Sequence, residues 1–207
     1  MAQAIGWAVQ KWKVDIINLS LVLPEMNADV ERELEQAIEP SSRESTRKIV
    51  FAAAGNTGGN MPRGWLANRD NVIAVHASSG LGSAASFNPH PEIGHNFSTL
   101  GQDIKICHKP SANKEEDRHV YVSGTSFATP IAAGIAANVL EFARNELPLT
   151  YSQKERLYSS VCMAKIFHTM SSDSGGGYRY VQPWTFWWPG RLKHDIAMAL
   201  KKIIEGC

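Results

Sequence analysis

A serine that follows a tight turn and opens a helix is well placed to attack a carbonyl, and the stretch VSGTSFATPIAAG at 122–134 puts Ser126 in that position. The residues before it predict a strand, Gly124 turns the chain, and an alanine-rich helix follows. The Ser126 hydroxyl then lies near the positive end of the helix dipole and near backbone N–H groups without helical partners. Both features suit a nucleophile whose attack creates an oxyanion. Pro130, four residues on, lacks the N–H that would otherwise bond the Ser126 carbonyl. The same pattern also describes an ordinary helix cap, because Ser and Thr are preferred there whether or not they do chemistry. A second stretch, FAAAGN at 51–56, ends an apolar run with Gly55 and Asn56. At the C-terminal edge of a parallel sheet these two residues would stand where such sheets hold ligands. Asn56 could donate a side-chain N–H to an oxyanion, and Gly55 could let a substrate backbone approach. A plain Gly-Asn turn is the alternative reading.

The elements that must position these residues follow from hydrophobic period and punctuation. Residues 3–12 predict a helix with Ile5, Ala8, Val9 and Trp12 on one face. VDIINLSLV at 14–22, bounded by Pro24, predicts a strand covered on both faces. Residues 28–39 predict a helix with Val30, Leu34, Ala37 and Ile38 inward and its acids mostly on a solvated face. KIVFAAAGN at 48–56 and NVIAVHASS at 71–79 predict two more buried strands. Strand, helix, strand at this spacing implies a parallel sheet with right-handed crossovers. Short strands are expected between Ser83 and Val122, a long helix over 125–147 and another over 151–168. After the turn SSDSGGG come a strand in YRYVQPW and a last helix near 191–204, with the aromatics of WTFWWPG packing a small lobe. The fold class is α/β, a parallel sheet flanked by helices, in one domain over 1–207.

Taken together, four ordered blocks resemble the subtilisin-like serine protease family (peptidase S8). GTSFATPIAAG resembles its nucleophile motif, AAAGN its oxyanion-hole segment, and DIINLSL the strand forming one wall of its substrate cleft. NVIAVHASS followed by ASFNP resembles a further stretch of the same fold, and the blocks run from about residue 3 to residue 144. The resemblance implies that Ser126 is the nucleophile, with Asn56 and the Ser126 backbone N–H as oxyanion donors. It implies that Ser20, Leu21 and Val22 pair with an extended polypeptide substrate by strand addition. It places Gly55 and Thr57 beside the pocket for the side chain that precedes the scissile bond.

The chain departs from the family pattern in ways that set further expectations. The family's Asp and His motifs precede the helix that opens this chain, and neither is present, so its N-terminal strands are missing. Asp15, Asp70 and Asp103 are not followed by Ser/Thr-Gly, and none of the seven histidines precedes Gly-Thr. His76 is expected on a strand far from the cleft, and the other histidines in loops or late helices. A serine without its base and orienting carboxylate is nearly inert. The expected function is therefore a serine-type endopeptidase domain incomplete in this chain, with a non-catalytic peptide- or partner-binding remnant as the alternative. A chain or upstream segment carrying the Asp and His motifs would be its partner. Val22 and Leu23 place β-carbons where the family usually has glycines. A net charge of +1 gives no reason to expect nucleic acid, and no run of about 18 apolar residues predicts a membrane span. No cofactor or metal site is evident; the resemblance leaves calcium open. Cys107, Cys162 and Cys207 are sparse and odd in number, which predicts free thiols, and with no secretory signal the expected location is intracellular, in the cytoplasm.

Overall fold

The segment IVFAA carries no polar residue, and a strand without a polar face belongs between two covered faces. In the computed structural model, which describes residues 1–40, 46–108 and 118–207, β2 (Ile49–Ala53) is buried along its whole length. It pairs in parallel with β1 (Ile16–Leu19) on one side and β3 (Val72–Ser78) on the other. Alternation divides its side chains between two cores. Ile49 and Phe51 join one apolar cluster, Val50 and Ala52 the other. β4 (Phe97–Leu100) continues the parallel sheet beside β3, followed by β8 (Arg179–Val181) and the antiparallel β7 (Ser171–Asp173). The sheet order is β1-β2-β3-β4-β8-β7. β5 (Ile104–His108) and β6 (Arg118–Val122) form a separate antiparallel pair.

Helices cover both faces. α1 (Ala2–Gln10) and α2 (Ala28–Ile38) close one side, with Ile5, Val30, Leu34 and Ala37 buried against Ile17 and Leu19. On the other side α3 (Thr125–Glu146) crosses β1 to β4. By length and composition α3 could cross a bilayer, but nine of its residues are buried, which makes it the central core helix. α5 (Ser160–Thr169) and α7 (Lys193–Glu205) pack in the same layer, with α4 (Tyr151–Leu157) beside α7 and the short α6 (Pro183–Phe186) after β8.

Several expectations are corrected. The first strand stops at Leu19, so Ser20, Leu21 and Val22 lie in the loop that follows it. Its burial alternates, with Ile17 and Leu19 buried on one face and Asn18 exposed on the other, and β1 is an edge strand of the sheet rather than a covered one. The helix expected over 151–168 is two helices. Ser159 caps the second one, its Oγ accepting from the Cys162 N–H at 3.2 Å, and this restarts the chain in a new direction. Part of YRYVQPW is helical, since Pro183 starts α6 at a position where its missing N–H costs nothing. The WTFWWPG aromatics divide: Phe186 is buried and Trp187 packs on Phe142, whereas Trp184 and Trp188 are exposed. Two thiols are not free. Cys162 and Cys207 form a disulfide that ties α5 to the end of α7, leaving Cys107 as the exposed free thiol.

Candidate active site

Parallel strands end at one edge, and the turns leaving that edge bring together residues far apart in sequence. β2 delivers Gly55 and Asn56 there. β6, which lies outside the parallel sheet, leads into Gly124 and the start of α3, tied to the end of β4 rather than carried by a parallel strand as the sequence implied. The two turns are held by a reciprocal pair of hydrogen bonds. The Thr125 backbone N–H donates to Asn56 Oδ1 at 2.9 Å, and the Gly55 N–H donates to Thr125 Oγ1 at 3.1 Å. With its carbonyl oxygen engaged, Asn56 has its amide nitrogen facing Gly124, where a β-carbon would stand 3.2 Å from Nδ2. A glycine at 124 is what leaves that amide room.

Further bonds fix the turn itself. The Gly124 N–H donates to the Gly101 carbonyl at 2.8 Å, anchoring the turn on the end of β4. Gly101 has no space for a side chain: a β-carbon would meet the Ala77 β-carbon at 2.7 Å and the Ala128 β-carbon at 3.0 Å. Thr99 donates its hydroxyl to the Ala128 carbonyl at 2.7 Å, and Thr129 donates to the Thr125 carbonyl at 2.7 Å. Ser126 sits half-buried in the first turn of α3, and its N–H has no partner among the described residues. Pro130 stands where residue i+4 would bond the Ser126 carbonyl.

The arrangement thus places a hydroxyl, an unpaired N–H and an amide nitrogen around one end of a helix. Such donors stabilise negative charge developing on a carbonyl oxygen. Thr125, fully buried and bonded on three sides, is a member that sequence reasoning missed. Its signal was present in the GTS triplet, but the serine beside it drew the functional reading.

The opposite wall is less regular than the sequence implied. Ser20 is half-buried and exchanges hydrogen bonds with Asn18, its Oγ accepting from Asn18 Nδ2 at 3.0 Å. Leu21 and Val22 are exposed. The Gly64 N–H donates to the Ala54 carbonyl at 2.9 Å and the Trp65 N–H to the Leu23 carbonyl at 3.3 Å, so residues 64–65 bridge the ends of β2 and β1. Thr57 is exposed, and Gly58 next to it donates to the Phe87 carbonyl at 2.9 Å.

Among the described residues no histidine hydrogen-bonds Ser126. His76 lies fully buried on β3, its Nδ1 donating to the Phe97 carbonyl at 3.3 Å. Burial first, and the neighbouring Arg63 charge second, depress its pKa to about 3, so the ring is neutral. His95 stacks on Phe97 beside His168, and burial chiefly lowers its pKa. His108 and His119 are on β5 and β6 rather than in loops; the His108 side chain lies outside the described residues. Asp15 pairs with Arg144 at 2.6 Å. Arg144 lies five turns along α3 from Ser126, about 27 Å, so this carboxylate is at the wrong end of the sheet to orient a base. Asp70 sits before β3 at that same far end, and Asp103 is in a turn where its N–H donates to Ser123 Oγ at 2.9 Å. No group of three His, Cys, Asp or Glu gathers among the described residues.

Comparison with known proteins gives a consistent picture. A family model described as "Subtilase family" matches residues 1–177. The chain is similar to "Subtilisin-like protease het-Q2" of Podospora anserina, 34% identical over 70% of this chain and 39% of that protein. It is also similar to "Thermostable alkaline protease" of Halalkalibacterium halodurans, 34% identical over 67% of this chain and 34% of that protein. The chain therefore spans little more than a third of the length of these relatives. Among solved structures, the self-cleaved protease domain of PatA shares the fold with a TM-score of 0.63 over 97% of this chain and 67% of that one, at 22% identity. The prenylagaramide maturation protease PagA gives a TM-score of 0.53 at 27% identity, over 75% of this chain and 54% of that chain.

Proposed function

This chain belongs to the subtilase family, and from that premise we propose that it is the nucleophile-bearing part of a serine-type endopeptidase domain acting on polypeptides. Ser126 attacks the scissile carbonyl, and Asn56 Nδ2 and the Ser126 N–H receive the oxygen as it becomes negative. The external base takes the serine proton and returns it to the peptide nitrogen as the C–N bond breaks and the amine leaves; water then hydrolyses the acyl-serine ester to a carboxylate and free Ser126. The general base and its orienting carboxylate come from a polypeptide segment outside this chain, supplied by a longer form of the protein or by a partner. Ser20, Leu21 and Val22 form the wall along which the substrate lies.

The observation that carries this reading is the reciprocal bonding of Asn56, Thr125 and Gly55. A Gly-Asn turn alone needs no such partner, and a helix cap alone needs no amide turned toward it. The reading predicts that the 207-residue chain hydrolyses a denatured protein substrate no faster than buffer. Supplying a segment that bears the missing His and Asp restores turnover, and Ser126→Ala abolishes it. Loss of the serine or the histidine costs about a millionfold in subtilisin. Turnover by the chain alone that disappears in Ser126→Ala would place the base within this chain. No turnover in any completed form leaves the peptide- or partner-binding remnant as the better reading.

A further inference from the structure

The cleft beside Asn56 has two walls without side chains. Gly55 immediately precedes Asn56, and Gly64 is held next to it by the bond to the Ala54 carbonyl. A substrate carbonyl oxygen bonded to Asn56 Nδ2 would bring the α-carbon of its residue toward the turn that Gly55 opens, since Gly55 directly precedes Asn56. The side chain on that α-carbon then turns either to solvent or into the gap between Gly55, Gly64 and the loop after β1. That gap is already filled. Val22 Cγ1 stands so close to Gly64 that a β-carbon there would overlap it, with Val22 Cβ at 3.4 Å and Cγ2 at 3.6 Å from the same point. Val22 Cγ2 is also 3.9 Å from where a β-carbon on Gly55 would stand. One isopropyl group therefore occupies the space that the missing side chain of Gly64 leaves and borders the space left at Gly55.

Val22 is not a core residue in this position. It is 43% exposed and belongs to neither of the two apolar clusters, so the core does not account for a valine here. Resting on the serine-peptidase reading above, we propose that Val22 sets the specificity of the cleft. It fills the pocket for the residue that contributes the scissile carbonyl, so the site takes peptides with glycine or alanine there and rejects larger side chains. A leucine or phenylalanine would need to displace a β-branched side chain whose rotamers are restricted. A valine-sized volume removed from a pocket changes discrimination by more than a single methylene, which itself is worth about 10- to 200-fold.

Peptide boronic acids test this without requiring turnover. The Ser126 oxygen adds to boron, its proton passing to solvent, and the resulting tetrahedral adduct is read by boron-11 NMR. Tripeptide boronates that differ only in the residue bearing boron (glycine, alanine or phenylalanine analogues) are titrated into the 207-residue chain. The glycine and alanine analogues are expected to bind at least tenfold more tightly than the phenylalanine analogue. Val22→Gly should raise the affinity for the phenylalanine analogue relative to the glycine analogue at least tenfold; Val22→Ala, which keeps a β-carbon and so protects the loop, should raise that ratio by a smaller amount. Equal affinities in the unaltered chain, or ratios unchanged in both variants, overturn the role of Val22 while leaving Ser126 intact. An adduct that forms equally in Ser126→Ala, or that forms neither in the chain alone nor in the chain supplied with the His- and Asp-bearing segment, overturns the peptidase reading and this proposal with it.

Discussion

Thr125 binds two turns with one side chain and one backbone group, so its hydroxyl is worth more than an isolated hydrogen bond. Replacing it with valine keeps the shape but leaves the Gly55 N–H buried without an acceptor, which costs about 1–3 kcal/mol. Thr125→Ser should keep most of that stability, and urea unfolding of the two variants checks the difference. His76 offers a pH test at the same scale. The folded ring stays neutral down to about pH 3, whereas the unfolded chain takes up a proton near pH 6.5. Between these values the unfolded state binds more protons. The stability that His76 confers is therefore full above about pH 6.5 and falls as the pH drops toward 3, by at most about 1.4 kcal/mol per unit. The groups around the ring are the Arg63 guanidinium, the Phe97 carbonyl and the Tyr178 ring. A His76→Phe variant should lose this share of the acid sensitivity, seen as a smaller drop in melting temperature between pH 6.5 and 4.5 than in the unaltered chain.

At the scale of elements, the boundaries show which local signals were sufficient. The helix over 28–39 was legible from its inward apolar stripe and solvated acids, and the structure adds the cap that starts it. Asn27 Oδ1 accepts from the Val30 N–H at 3.1 Å, and Asp29 and Glu31 complement the helix dipole. Asn27→Ala should cost about 1 kcal/mol while Asn27→Asp costs little, measured as shifts in the denaturant midpoint. The break between α4 and α5 was not legible, because apolar period continues through 158–160 and only the Ser159 cap interrupts it. The strand over 14–22 was read too long for a similar reason. Leu21 and Val22 continue the apolar run but have no neighbouring strand to pair with beyond Leu19.

For the whole molecule, the decisive feature is an open edge. β1 pairs only with β2 among the described residues, and its far side presents unpaired backbone groups. Natural edges are normally blunted by charge, proline or a bulge. Here Asp15 is already engaged by Arg144, and Leu21, Val22, Trp7 and Trp12 are exposed nearby. The isolated chain should therefore associate with itself or with a partner that adds a strand to β1. Light scattering and thermal melting decide this: a monodisperse monomer with one cooperative transition would show that the edge is tolerated.

Local pattern determined much of this protein. Apolar runs without a polar face specify buried parallel strands, and an alanine-rich helix entered through Gly124 specifies where Ser126 stands. Both are consequences of residue period and of backbone chemistry within a few positions. The remainder depended on contacts between residues some forty or more positions apart. Thr125 bonding Gly55 and Asn56, Val22 filling the space over Gly64, and Cys162 joined to Cys207 are of this kind. Nothing within a few residues of Val22 or of either cysteine says which distant residue it meets, and the GTS triplet does not say what Thr125 bonds. Only the packing of α3 and the ends of β1 and β2 against one another brings the partners within bonding distance, and that packing is a property of the folded sheet rather than of any one segment.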